Sequence, residues 1–334
     1  MTARSAAIVL LAAIAALAAA MLALLVGGTP LDPRDVLWAL SHPQATSDVA
    51  TIVWSLRLPR IAIAALVGAT LAIAGFELQG LLRNPLVDPS LIGVSAGAGA
   101  AIAIGVALGI AVPLLPGIGF AAGLGVALLV ALLARRAGGL DVERLILAGV
   151  SLSAFFAAIV TIALTVLARG QADAIISWLA GSLAGHGWSD LGWALPYAAA
   201  GSSIAVAAIP SLNALRLGAS AAASVGVNVV RTQWLLLASA ALLTAAAVSL
   251  SGLVGFVGLI VPHLARRLIG TDARSALPLT ALLGATLVTL ADAASRTLIA
   301  PAEIPLGVLL AFIGVPTFLY LYLRTDVTAR LWGT

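Results

Sequence analysis

Residues 57–81 read RLPRIAIAALVGATLAIAGFELQGL. Beyond Arg60 this stretch runs 21 residues with a single charge, Glu77. As a helix rising 1.5 Å per residue it would cover roughly 30 Å, the thickness of a bilayer's hydrocarbon core. Pro59 reads as the N1 proline that opens it. Similar runs recur on both sides. Ten spans fit, at approximately 5–26, 59–81, 91–111, 117–135, 144–167, 189–209, 231–250, 255–269, 277–298 and 305–323. The eighth is the shortest. The expected fold class is therefore all-α, a single polytopic membrane domain over residues 1–334 with about ten transmembrane helices.

Composition agrees. The chain is 62% hydrophobic and 9% charged, against about 25% charged residues in a soluble domain. All 17 basic residues are arginine. A Walker A loop needs a lysine on the β/γ-phosphates, so any ATP chemistry belongs to a partner. With no cysteine, disulfides, thiolate metal sites and cysteine nucleophiles are excluded. The three histidines, His42, His186 and His263, are far apart in sequence and form no HExxH pair. No metal, bound cofactor or catalytic residue is expected. The apolar run after Arg4 is about 22 residues long, longer than the usual h-region of a signal peptide, and reads as the first span.

Ten spans put both termini on one side. Arg4, Arg83, Arg135, Arg136, Arg144, Arg216, Arg231, Arg266, Arg267, Arg274, Arg324 and Arg330 fall on that side, and Arg34, Arg57, Arg60, Arg169 and Arg296 on the other. Twelve against five makes the first side cytoplasmic. The surplus of arginine then speaks for orientation rather than nucleic acid. GATL occurs at both 68–71 and 284–287, an echo given no weight at this point.

Several polar features interrupt the apolar pattern. Arg57 and Arg60 share a helix face by i,i+3 spacing. They are read as lying at a helix N-terminus, where the partial positive charge disfavours them; they serve either interfacial snorkelling or contact with a partner's carboxylates. Arg296 lies one turn after Asp292 and suits an i,i+4 pair. RNPLVDPS at 83–90 reads as a rigid corner in which Asp88 caps the next helix. In SLNALRLGASAAASVGVNV, residues 211–229, Asn213 and Ser220 are expected to cap two short helices that stop at Gly218 and Gly226. GFVGLIVPH at 255–263 carries helix-loosening residues, with His263 as a capping or packing group. Ser151, Ser153, Thr161 and Thr165 either bond to backbone or line a polar path. Glu77 must pair, be protonated or face a cavity. A GxSxG match at Gly93–Gly97 lacks the strand–turn–helix setting of a nucleophile elbow.

Taken in order, RLPR, LQGLLRNPLVDPSLIGVSAGA, RLILAGVSLSAF, WLAGSLAG, LNALRLG with SVGVNV, GFVGLIVPHLAR, LADAASR and PAEIPLGVLLAFIGVPTFLY resemble the FecCD family, over residues 54–324. These are permeases of type II ABC importers for ferric siderophores, haem and cobalamin. The resemblance implies a second permease subunit, in the simplest case a homodimer. It also implies two cytoplasmic ATPases that carry ATP and Mg, a periplasmic binding protein, and residence in the bacterial inner membrane. It assigns binding-protein docking to Arg57, Arg60 and Arg296. It assigns ATPase coupling to the short helix pair with Asn213, Leu217, Gly218, Ser220, Ser224 and Gly226. It assigns a cytoplasmic gate to Asn84, Leu86, Val142 and Glu143, and the path to the fifth and tenth helices. Relatives often carry acidic residues and an arginine where this chain has Ala219, Ser220 and Ala223, which puts charge pairing to the ATPase in doubt. Two other readings are an ion-coupled secondary transporter using Glu77 and Asp292, and an intramembrane serine protease using Ser95 and His263.

Overall fold

The computed structural model describes residues 2–136, 138–167, 170 and 172–324. Arg169 and Arg330, both counted in the orientation argument, lie outside them. The described chain is almost wholly helical, with one two-residue hairpin pairing Arg135–Arg136 with Gly139–Leu140. The helices are α1 (Ala3–Leu25), α2 (Pro33–Ser41), α3 (Asp48–Thr51), α4 (Leu58–Leu81), α5 (Val94–Ala107), α6 (Leu115–Leu133), α7 (Val142–Ile162), α8 (Ala172–Leu179), α9 (Trp188–Ala207), α10 (Ile209–Leu215), α11 (Ala219–Ser224), α12 (Val229–Ser251), α13 (Val257–Ile269), α14 (Ala273–Ser295) and α15 (Leu306–Arg324). Helix lies on each of the ten stretches expected to span the bilayer. Among the described residues, six helical stretches are long and apolar enough to cross it, or seven if α9 and α10, bent by 55°, form one span.

The RLPR stretch is not a helix start. α3 runs through a π-helical segment, Ile52–Arg57, straight into α4, giving a helical stretch of 34 residues. Pro59 has no N–H to donate to the preceding turn, and the wider π turn accommodates the gap; the Leu58 N–H bonds to Val53 O, five residues back. Arg57 and Arg60 are therefore mid-helix, and the argument from a helix N-terminus does not apply to them.

α4 forms the centre of the bundle, packed on α9, α12, α13 and α14. Most of its apolar window is buried, whereas almost none of α7's is. Close approach depends on glycine. A Cβ on Gly75 would sit 1.9 Å from Gly258 O on α13, and one on Gly68 would sit 2.1 Å from Gly284 O on α14. The GATL echo thus acquires a meaning: its two glycines face each other at the α4–α14 crossing. In lipid no hydrophobic drive pulls helices together, and such backbone contact supplies the dispersion that does.

α5 and α13 are short because irregular backbone precedes each. Asp88 caps the 3-10 turn Pro89–Ile92 rather than the membrane helix; the Ser90 N–H reaches its carboxylate at 2.9 Å. α5 begins only after Gly93. α13 follows a loop that ends at Phe256, whose φ of 67° is left-handed. The two breaks lie against each other, since a Cβ on Gly258 would meet Pro89 Cδ at 2.4 Å. Gln79 closes the junction by donating to the carbonyls of Val87, Gly258 and Leu259 at 3.0–3.2 Å, and Arg266 donates to Gln79 in turn. Non-helical backbone at membrane depth is tolerated because it is buried in protein and bonded there.

Candidate functional site

Two polar surfaces lie at opposite ends of α14, a helix of 23 residues and roughly 35 Å.

At the first end Arg57, Arg60 and Arg296 converge with Gly28, Thr29 and His186 on an open cleft of about 540 Å³. None of the three guanidiniums is free. Arg57, on α4's approach, donates to the carbonyls of Leu24 and Thr29. It thereby satisfies Leu24 O, which the end of α1 leaves without an intrahelical partner. Arg296 reaches Ala23 O at 3.2 Å and Val26 O at 3.4 Å from the other side, and its Nε donates to Asp292 at 3.1 Å. Arg60 Nε donates to Asp292 at 2.9 Å, and its two terminal nitrogens hold Glu303 at 3.0 and 2.8 Å. The i,i+4 pair read from sequence is present, but Asp292 serves two arginines. Three cations against two carboxylates leave the cluster at +1.

The sequence reading missed both the Arg60–Asp292 pair, 232 residues apart, and Glu303, although the PAEIPLG motif contained it. Both arise from tertiary packing of α4 on α14. Arg60 holds the Glu303 carboxylate below the usual carboxylate range. His186 Nδ1 stands 3.6 Å from Asp190; burial pushes the imidazole down, Asp190 opposes that, and Arg60 adds to it.

At the other end, α10 and α11 form a compact knob. Gly218 and Gly226, at φ 106° and 87°, close the two helices as expected, because a left-handed position costs glycine little. The cap assignments need correction. Asn213 lies inside α10, and it caps α14: it donates to Asp272 at 2.7 Å and accepts from the Ala273 N–H at 2.9 Å. Ser220 lies inside α11, where Gly218 occupies the cap position. Ser224 donates to Ala221 O at 2.8 Å. The Arg274 backbone N–H holds Asp272 below its ordinary range, helped by Asn213. Leu217 is 75% exposed and Val225 69%, so the knob presents apolar side chains outward from a polar end.

The remaining sites divide. Asn84 Oδ1 accepts from the Leu86 N–H at 2.9 Å, an Asx turn that leaves Leu86 exposed. Val142 and Glu143 open α7, with Val142 against the core and Glu143 exposed. Ser153 and Thr161 line a groove of about 640 Å³ with Ser90, Ser95 and Gly99 of the α5 side. Ser151 is exposed on α7, and Thr165 on the π-helical turn Ala163–Leu167 that continues it. Thr161 and Thr165 donate to carbonyls four residues back, at 3.0 and 2.8 Å.

The features invoked by the two other readings find different uses. Glu77 is fully buried. Ser239 Oγ lies 2.9 Å from its carboxyl and 2.8 Å from Gly201 O. The Ser239 hydroxyl on α12 thereby ties Glu77 of α4 to Gly201 of α9. Ser95 lies in the first turn of α5 with no strand before it. His263 is buried on α13 and is not among the residues lining the groove that Ser95 faces.

The comparisons agree with this architecture. Residues 14–324 match the model of the FecCD transport family. The chain is 40% identical over 309 residues to the cobalamin import system permease protein BtuC of Halobacterium salinarum, covering 91% of this chain and 82% of that one. It is 39% identical over 299 residues to the Fe(3+) dicitrate transport system permease protein FecC of Escherichia coli, covering 88% and 90%. It is 38% identical over 295 residues to the hemin transport system permease protein HmuU of Yersinia pestis, covering 86% and 87%. A solved metal-chelate type ABC transporter in an inward-facing conformation superposes with a TM-score of 0.85 at 34% identity, over 95% of this chain and 99% of that one. A 34-residue central helix, glycine-tight crossings, two broken spans and near full-length likeness to these permeases have one common explanation: this chain is a transport permease and belongs to the FecCD family.

Proposed function

We propose that the chain is the membrane-spanning half of an ATP-driven importer that carries an iron chelate inward across the bacterial plasma membrane. A ferric siderophore is the first assignment for the cargo, with haem next and cobalamin after it. The relatives' names give cobalamin, ferric dicitrate and hemin as cargoes, and metal chelates of this kind suit a path lined by small hydroxyls and apolar groups. The chain catalyses no chemistry; two separate ATPases bind ATP and Mg. Both termini face the cytoplasm. A second copy covers α7 and the π-helical turn after it, whose exposed faces carry Ser151, Thr161 and Thr165, hydroxyls better suited to a shared path than to lipid. Asn84, Leu86, Val142 and Glu143 close that path at the cytoplasmic end.

The observation that carries this reading is the pair of surfaces on one helix. The knob is clamped to α14 at Asp272 and Ala273, and the arginine cleft is clamped to the same helix at Asp292. The cleft takes carboxylates of a periplasmic binding protein. The knob fits a cleft in the ATPase by shape and apolar contact, which needs none of the charges that Ala219, Ser220 and Ala223 fail to supply. The paired change Leu217→Asp and Val225→Asp places two charges on the knob's exposed tips and leaves buried Leu212 and Leu215 untouched. Co-purification of the ATPase should fall at least tenfold, for a desolvated charge costs several kcal/mol at an interface. Undiminished co-purification, with the variant eluting as the native protein does, would contradict the knob's role.

A further inference from the structure

We propose that Glu303 is a built-in stand-in for the docking partner, occupying the rim-facing edge of Arg60 that an incoming carboxylate must take. The inference rests on the docking reading above and adds a competitor to it.

The two carboxylates on Arg60 differ in kind. Asp292 is 2% exposed and is shared with Arg296. Removing it would strand two guanidiniums, so it is a fixed part of the fold. Glu303 is 39% exposed and touches Arg60 alone in the cluster. Its two oxygens meet the two terminal nitrogens in the fork arrangement that makes arginine–carboxylate pairs directional. That edge of Arg60 is the part nearest solvent, and a partner's carboxylate would seek the same geometry. Arg57 and Arg296 spend terminal nitrogens on α1 and loop carbonyls. Among the three arginines, only Arg60 commits both terminal nitrogens to an exposed carboxylate.

The backbone permits exchange. Glu303 lies in the connection between α14 and α15. The following residue, Ile304, is pinned by its N–H to Ser295 O at 3.0 Å and by Ser295 Oγ to its carbonyl at 2.7 Å. The preceding residue, Ala302, donates to Ile299 O at 3.0 Å. The main chain is thus held on both sides, and the side chain can leave Arg60 by rotation alone. Arg60 holds the carboxyl below the usual carboxylate range, so the competitor is charged at physiological pH. With it in place the cluster stands at +1; without it the charge offered to an acidic partner doubles to +2.

The test is Glu303→Gln in the assembled permease–ATPase complex, with affinity for the cognate periplasmic binding protein as readout. The amide keeps the shape and removes the charge. About fivefold tighter binding is expected, equivalent to about 1 kcal/mol, with thermal unfolding unchanged because Asp292 still holds both arginines. Unchanged or weaker binding would overturn the proposal, the second outcome meaning that Glu303 orients Arg60 rather than competes for it. Arg60→Gln separates this from the parent reading. If Arg60→Gln weakens binding and Glu303→Gln does not strengthen it, the competitor role alone fails. If neither substitution changes affinity, the arginine cleft is not the docking site and both ideas fall.

Discussion

Asp292→Ala is expected to lower the stability of the detergent-purified permease by about 3–5 kcal/mol, the usual cost of removing one partner from a buried ionic cluster. Among the described residues, Asp292 is the one carboxylate that both Arg60 and Arg296 bond, and it is essentially inaccessible to solvent. Its loss leaves Arg296 with backbone carbonyls only, and leaves Arg60 with a half-exposed Glu303. Three guanidiniums would then repel one another with a single, half-exposed carboxylate to offset them. The damage should spread to α1, since Arg57 and Arg296 are what fasten its last turn. Thermal unfolding in mild detergent measures the effect. A variant that melts with the native protein would show that the cluster is not a structural tie. Glu303→Gln is the matched comparison: it lies in the same cluster on an exposed group and should barely move the transition, as rim ion pairs contribute little.

Gly75→Val should be damaging on a similar scale, costing more than about 3 kcal/mol, beyond the ordinary range for overpacking. The first added carbon alone would fall 1.9 Å from Gly258 O and 2.6 Å from Gly258 Cα. Those neighbours are backbone and cannot rotate away. α4 and α13 would have to separate, and Gln79, which bonds Val87, Gly258 and Leu259 just below the crossing, would lose its acceptors. Little folded protein should reach the membrane fraction, read by size-exclusion profile after solubilisation. Gly125→Val is the control, because a side chain there meets nothing within 4 Å; it should fold. Equal yields of the two variants would show that the close crossing does not hold the bundle together.

The hydrophobic runs made the all-α membrane architecture readable because a bilayer permits few alternatives: span length and backbone saturation together force helices. Helix interruptions were less legible. Pro59 looked like a helix start, since proline favours that position, yet a π turn absorbed it. Asn213 looked like the cap of its own helix, and instead it caps α14, 60 residues away. Side-chain capping needs only the right distance, not sequence neighbourhood. Arg57, Arg60 and Arg296 stand out in the sequence, but not that their own chain already engages them. Glu303 and Asp292 reach Arg60 across more than 230 residues, and no local pattern records such a meeting. The GATL echo held real information about a crossing that only a packed bundle could reveal.

The central claim is that this permease moves its cargo by coupling to ATP hydrolysed on a partner. The most direct measurement is uptake of a radiolabelled ferric siderophore into proteoliposomes containing the permease and its ATPase, with the binding protein outside and ATP inside. Uptake that requires ATP and the binding protein, and is indifferent to collapse of the proton gradient, is the expected result. Uptake that proceeds without the ATPase and stops when the gradient collapses would contradict the account.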